Sequence, residues 1–468
     1  MTKENKISRR KFINRTAMAA LSAGLIPGPF SSLKSIASNA NVNRNRSSYK
    51  AIVCVLLEGG ADSYNMIIPA GNAEYNEYAN SRSVLAIPQN ELLSINPLNS
   101  DGKLYGLHPS MSPIQSLFNS GELSFISNVG TLIEPVTKEG FWDGTNQLPL
   151  GLFSHADQIQ QWQSGRPDLR TQIGWGGQIS DIMGAINSNQ SIPMSVSLSG
   201  NNTYQHGLSS IEFSINEEGS AGLIGYDDNT SPYNQIRTTA LNSMFNHEYN
   251  DPFKNTYIKT IKNANSAGIE FMEAINQIDD FQSPFSENEL SQSFKMIAKT
   301  IAARDILGFE RQVFFIRYPG WDHHSDMLLE MNNMLPVLSN ALSEFNAVMN
   351  EIGTNEQVTT FSMSDFARSL TSNGNGSDHA WGGNLMVMGG SVNGQYRFGE
   401  FPSLALDNPL DVSQGILIPQ ISTDEYFAEI AMWFGLQNAD ISNIFPNLSN
   451  FYDINSANPP IGFLNIDI

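Results

Sequence analysis

Lys50-Ala51-Ile52-Val53-Cys54-Val55-Leu56-Leu57, closed by Glu58-Gly59-Gly60-Ala61-Asp62-Ser63, sets the architecture. The run is apolar and β-branched without polar alternation, the pattern of a strand buried on both faces. It ends in a glycine-rich turn. Similar runs recur at residues 123–129 (LSFISNV), 192–198 (IPMSVSL), 312–317 (QVFFIR), 357–362 (QVTTFS) and 384–388 (NLMVM). Helical patterns separate them, at residues 111–120, 153–164, 257–278, 287–309 and 327–352. In the last, Leu328, Met331, Leu335, Leu338, Leu342, Phe345, Val348 and Ile352 recur near the helical period. Residues 423–436 and 441–451 read as two closing helices. Strands alternating with helices predict an α/β fold, a mainly parallel central sheet flanked by helices on both faces. Residues 203–255 are polar and read as a loop-rich insertion in a single domain spanning 49–468.

The chain has 468 residues, 40% of them hydrophobic, which suffices for a large core. A formal net charge of -20 would repel phosphate backbones and argues against nucleic acid as a partner. The single cysteine, Cys54, excludes an intramolecular disulfide and reads as a buried thiol. Ser8-Arg9-Arg10-Lys11-Phe12-Ile13, followed by a moderately apolar run over 16–30, has the form of a twin-arginine signal. Residues 1–48 are therefore expected to be signal peptide and linker. The twin-arginine translocase would be a partner during export, and the mature chain would be periplasmic or extracellular. No segment of it is apolar over the length of a stable transmembrane span.

The chemistry-bearing residues cluster around the strands. Asp62 follows the first. Gly320-Trp321-Asp322-His323-His324 follows the fourth and Asp365 the fifth, while Asp378 and His379 immediately precede the sixth. Loops at the carboxyl ends of strands are where open α/β sheets place their sites, and Asp with His is a ligand set for divalent metals. A loop can turn Asp322 and His324 onto one ion, whereas His323 between them is expected to point away. Asp365 could instead cap a helix starting near Phe366, and Asp62 could serve an Asx-type turn. Gly374, Gly376, Gly382 and Gly383 near His379 permit close backbone approach. Ser154-His155-Ala156-Asp157 opens a helix, where main-chain amides can hold an anion and Ser154 could be either an activated hydroxyl or a simple cap. His108 reads as structural. The chain has no G-x-S-x-G, H-E-x-x-H, Walker A or C-x-x-C motif.

Taken in order, Leu56 to Asn65, Leu107-His108-Pro109, Ser154 to Gln158, Gly320 to His324, Ser364 to Arg368, Ser377-Asp378-His379 and Phe445-Pro446-Asn447-Leu448 resemble the twin-arginine-exported domain-of-unknown-function family DUF1501. That family is similar to the alkaline phosphatase and sulfatase superfamily. The resemblance implies an alkaline-phosphatase-like fold and a metal-dependent hydrolase of phosphate or sulfate esters, acting on a small-molecule or glycan ester. It implies one or two divalent ions, Zn²⁺ foremost. By position, Ser154 resembles the nucleophile, with His155 beside it as a catalytic residue. Asp62, Asp322, His324, Asp365, Asp378 and His379 resemble the metal-binding set. The chain departs from the superfamily at Phe366, where a histidine is usual, and in having no cysteine at the nucleophile position. The alternative is a non-catalytic exported binding or structural protein that keeps the fold.

Overall fold

A computed structural model describes residues 49–220 and 222–466; the signal-like segment lies outside them. The main sheet has nine strands. In chain order they are β1 (Lys50–Glu58), β2 (Leu123–Gly130), β3 (Ser195–Ser197), β4 (Phe213–Ser214), β5 (Arg311–Pro319), β6 (Val358–Ser364), β7 (Gly383–Met388), β8 (Arg397–Phe398) and β9 (Ile421–Ser422). Their spatial order is β8-β2-β7-β6-β1-β5-β3-β4, with β9 also on β2. β7 runs antiparallel to β6 and β2, and the other pairings are parallel. The mainly parallel α/β fold expected from the strand runs is therefore present.

β1 is central, and its side chains alternate between two cores. Ala51, Val53, Val55 and Leu57 enter one, with the helices Glu289–Ala302 and Met327–Glu351. Ile52, Cys54 and Leu56 enter the other, with His155–Ser164, Trp175–Met183 and Thr423–Phe434. Each such aliphatic side chain contributes roughly 1.5–3 kcal/mol on burial, which explains the unbroken apolar run. Burial pushes the Cys54 thiol up, so it is inert.

Several short elements were not expected. Ile67–Pro69, Leu93–Ile95 and Tyr105–Leu107 form a small antiparallel sheet. The helix anticipated after Asp365 is instead a strand, Arg368–Ser372, paired with Ser377–His379 in a hairpin. Residues 203–255 include the helix Pro232–Asn246 as well as loops. Among the described residues, no helix is long and apolar enough to cross a membrane.

Buried Glu429 anchors the C-terminal segment by accepting from the backbone N–H groups of Ile461, Gly462 and Leu464 at 2.7, 2.7 and 2.8 Å. Burial outweighs these bonds and lifts its carboxyl from 4.5 to about 7. Protonation is thus favoured in the folded state. The linked stability is full below about 4.5 and is lost as pH rises through about 7. Melting followed between those limits should show this slope, and Glu429→Gln should reduce it by the share that Glu429 contributes. The variant should also cost about 1–3 kcal/mol, since its amide nitrogen would face a backbone donor.

Candidate metal and catalytic site

The carboxyl ends of β1, β5 and β6 lie side by side at one edge of the sheet. Because β7 runs the other way, the residues that precede it reach the same edge. This is why Asp378 and His379, before a strand, meet Asp322 and Asp365, which follow strands. Gly59 and Gly60, at φ of 120° and 84°, let the turns interlock. A Cβ on Gly59 would lie 2.5 Å from the Asp322 nitrogen, and one on Gly60 would lie 2.5 Å from the Phe366 ring. The hairpin register sets Arg368 opposite His379.

Three side chains, His155, Asp322 and His379, each bring one ligand atom to within 4.8 Å of the others. Asp322 Oδ1 is the hub. It lies 3.4 Å from His155 Nε2, 3.6 Å from His379 Nε2 and 3.1 Å from His324 Nε2. The Nε2 atoms of His324 and His379 are 2.9 Å apart. The other ring nitrogens are engaged. His379 Nδ1 donates to the Phe153 carbonyl at 2.7 Å, so its Nε2 is a bare lone pair. His155 Nδ1 is 2.6 Å from Asp365 Oδ2, and His324 Nδ1 is 3.2 Å from Asp378 Oδ1. With each Nδ1 so engaged, the three Nε2 atoms face the Asp322 carboxylate oxygen. Such an arrangement repels itself unless a proton or a cation sits among the atoms. Tetrahedral Zn²⁺, with bonds near 2.0–2.1 Å, places its donors about 3.3 Å apart. The donor types here suit such an ion, with His155, Asp322 and His379 able to share one, and Asp365, Asp378 and the Phe153 carbonyl are the groups that would orient the rings.

One side of the cluster faces solvent and the other does not: Asp322 is 48% exposed, whereas Asp365 and Arg368 are 0% exposed. Partial burial raises the Asp322 carboxyl, but the hydrogen bond and charge of Arg368, joined by His155 and His324, bring it below its ordinary value. Asp365 is raised by burial, against its bonds from His155 and from the Gly59 N–H at 3.0 Å. His379 is lowered by burial first, then by the charges of His155, Arg368 and His324.

The remaining candidates sit differently. Asp62 is fully buried and forms an ion pair with equally buried Arg82, which also donates to the carbonyls of Ser369 and Leu370. Its Oδ2 takes that pair while its buried Oδ1 has no hydrogen-bond partner, and the residue lies outside the convergent set. Burial nonetheless raises it, Arg82 opposing. Ser154 is the N-cap residue of its helix and makes no side-chain cap bond; in the same first turn Asp157 is held by Arg170 at 2.6 Å. Phe153 just before it has φ of 71°, a strained value for a side chain of that size, at the turn that presents its carbonyl to His379. His323 is buried and pushed down to about 4, mainly by that burial. His108 is likewise buried and accepts from the Ser110 N–H. Sequence reading missed the two buried arginines at this edge, Arg82 and Arg368. Arg368 stood within a motif that named only its acidic neighbour, and Arg82 had no local signal.

A mainly parallel α/β sheet with an imidazole–carboxylate cluster at its carboxyl edge defines the class. The chain belongs to the DUF1501 family, described as a protein of unknown function, which it matches over residues 49–441. No curated protein matches it. Among solved structures it is similar to the PsFucS1 sulfatase from Pseudoalteromonas sp., with 9% identity, a TM-score of 0.33, and coverage of 88% of this chain and 72% of that one. It is also similar to Ps i-CgsB in complex with k-i-k-neocarrahexaose, with 10% identity, a TM-score of 0.34 and coverage of 86% and 77%. An alkaline phosphatase PafA variant shows 11% identity, a TM-score of 0.24 and coverage of 69% and 64%. Similarity at this level carries no activity across.

Removing one partner of a buried ion pair leaves the other uncompensated. Arg82→Met should therefore destabilise the chain by about 3–5 kcal/mol in denaturant unfolding. Adding Asp62→Asn should recover most of that loss. If the single variant were as stable as the parent, Asp62 would have to be neutralised by something other than Arg82.

Proposed function

We propose that this chain is an exported, metal-dependent hydrolase of phosphate or sulfate esters. The observation that carries the reading is that Asp322 Oδ1 lies 3.1–3.6 Å from the Nε2 atoms of His155, His324 and His379, and that His155, Asp322 and His379 bring ligand atoms within 4.8 Å of one another. His155, Asp322, His324 and His379 would hold one divalent ion, Zn²⁺ by donor type. When bound, that ion supplies Lewis-acid stabilisation of charge on the ester oxygens. Ser154 would be the nucleophile, at a helix N-terminus whose first-turn amides suit an anionic group. Asp365 and Asp378 would orient His155 and His324, while Arg368 keeps Asp322 ionised and fixed. Asp62 has no ligand role in this reading. Export by the twin-arginine route rests on Ser8 to Ile13.

The second reading is a non-catalytic exported binding or structural protein. Its support is that Arg82 and Arg368 already neutralise Asp62 and Asp322 without an ion.

Elemental analysis of chelator-free protein separates the two. We expect about one equivalent of a divalent metal, lost in Asp322→Ala and in His379→Ala while the fold persists. Ser154→Ala should keep the metal and lower turnover of aryl phosphate or sulfate by at least about a thousandfold. Metal-free protein with unchanged melting on added Zn²⁺ would leave the non-catalytic reading standing.

A further inference from the structure

The six tryptophans divide unequally. Trp162, Trp175, Trp321, Trp381 and Trp433 are at most 2% exposed, whereas Trp142 is 64% exposed. Burying an indole is among the largest apolar gains a side chain offers a fold. Trp142 forgoes that gain, yet it is held in place. It lies on the short helix Lys138–Asp143, its Nε1–H donates to the Val412 carbonyl at 3.1 Å, and the Phe141 ring meets it edge-on at 5.3 Å. Phe141 in turn lies 6.2 Å from Trp381, two residues beyond His379. Phe141, Phe153 and Trp381 share one apolar cluster. Trp142 therefore stands on the loop, residues 131–153, that leads from β2 to Ser154, at the edge of the sheet that carries the site.

With its N–H spent, the indole offers solvent only its ring. The residues that follow it in the chain are polar: Asp143 and Thr145 are exposed and bonded to each other at 2.7 Å. A lone ring in a polar rim is far smaller than a protein interface, which buries about 800 Å² per partner. It does match the C–H face of a sugar ring, whose hydroxyls would meet the polar rim.

We propose that Trp142 is a carbohydrate subsite, on which a pyranose ring of an ester-bearing glycan stacks, at the sheet edge that also carries the His155–Asp322–His379 cluster. Its catalytic consequence rests on the ester-hydrolase reading above; the binding does not. The probes are a sulfated galactan hexasaccharide and its desulfated form, titrated into the full chain while acrylamide quenching reports the one exposed indole. Saturable shielding of that indole by either sugar is expected, with calorimetric binding lost in Trp142→Ala and largely kept in Trp142→Phe. Trp142→Ala should raise KM for the sulfated hexasaccharide about tenfold, leaving its kcat and the KM for a small aryl sulfate unchanged. Absence of shielding by both sugars, or an equal loss on both substrates, overturns the subsite. Shielding without any ester turnover overturns the hydrolase reading alone, whereas aryl sulfate turnover without shielding overturns the subsite alone.

Discussion

The guanidinium of Arg368 is the fixed point of this site. It is fully buried and donates to five acceptors. Nε donates to the Gly60 carbonyl, Nη1 to that of Ser377, and Nη2 to those of Gly59 and Trp321 and to Asp322 Oδ1. One side chain thus ties the turn after β1, the loop after β5 and the hairpin before β7. A buried charge is tolerated only when paired and hydrogen-bonded, and this one is both. The glycines at 59 and 60 are what allow the carbonyls to come this close.

The same edge holds two kinds of carboxylate. Asp62 and Asp365 are fully buried and face protein donors, Arg82 for the first and His155 with the Gly59 amide for the second. Asp322 and Asp378 are about half exposed and face imidazoles. The buried pair fixes geometry, and the open pair meets whatever arrives from solvent. The net charge of -20 makes this local concentration of guanidinium and imidazole stand out against an acidic surface.

Much of the scaffold was legible in the sequence because burial writes itself as apolar runs. The strand over residues 50–57 and the helical spacing from Met331 to Val348 both reappear in the structure, with those side chains inside. The direction of β7 was not legible, since an apolar run reads the same in either direction. The hairpin of Arg368–Ser372 with Ser377–His379 was missed because it is short and polar; a helix was expected there. Among candidate site residues, proximity to strand ends picked out Asp322, His324, His379 and Asp365. It could not separate Asp62 from them, because Arg82 reaches Asp62 through tertiary packing, and a charged residue in a polar helix reads as solvated.

β1 sits between β5 and β6. The register pairs Lys50 with Arg311, roughly 260 residues downstream, so ribosomes adding about 5–20 residues per second need some 13–50 s before the partner strand exists. The most apolar strand is thus made first and paired late. During that interval its unpaired edges invite association with other chains. A nascent chain of this topology depends on protection throughout its synthesis, and a fragment that ends before Ser377 would keep the central strands yet lack the hairpin that brings His379 to Asp322.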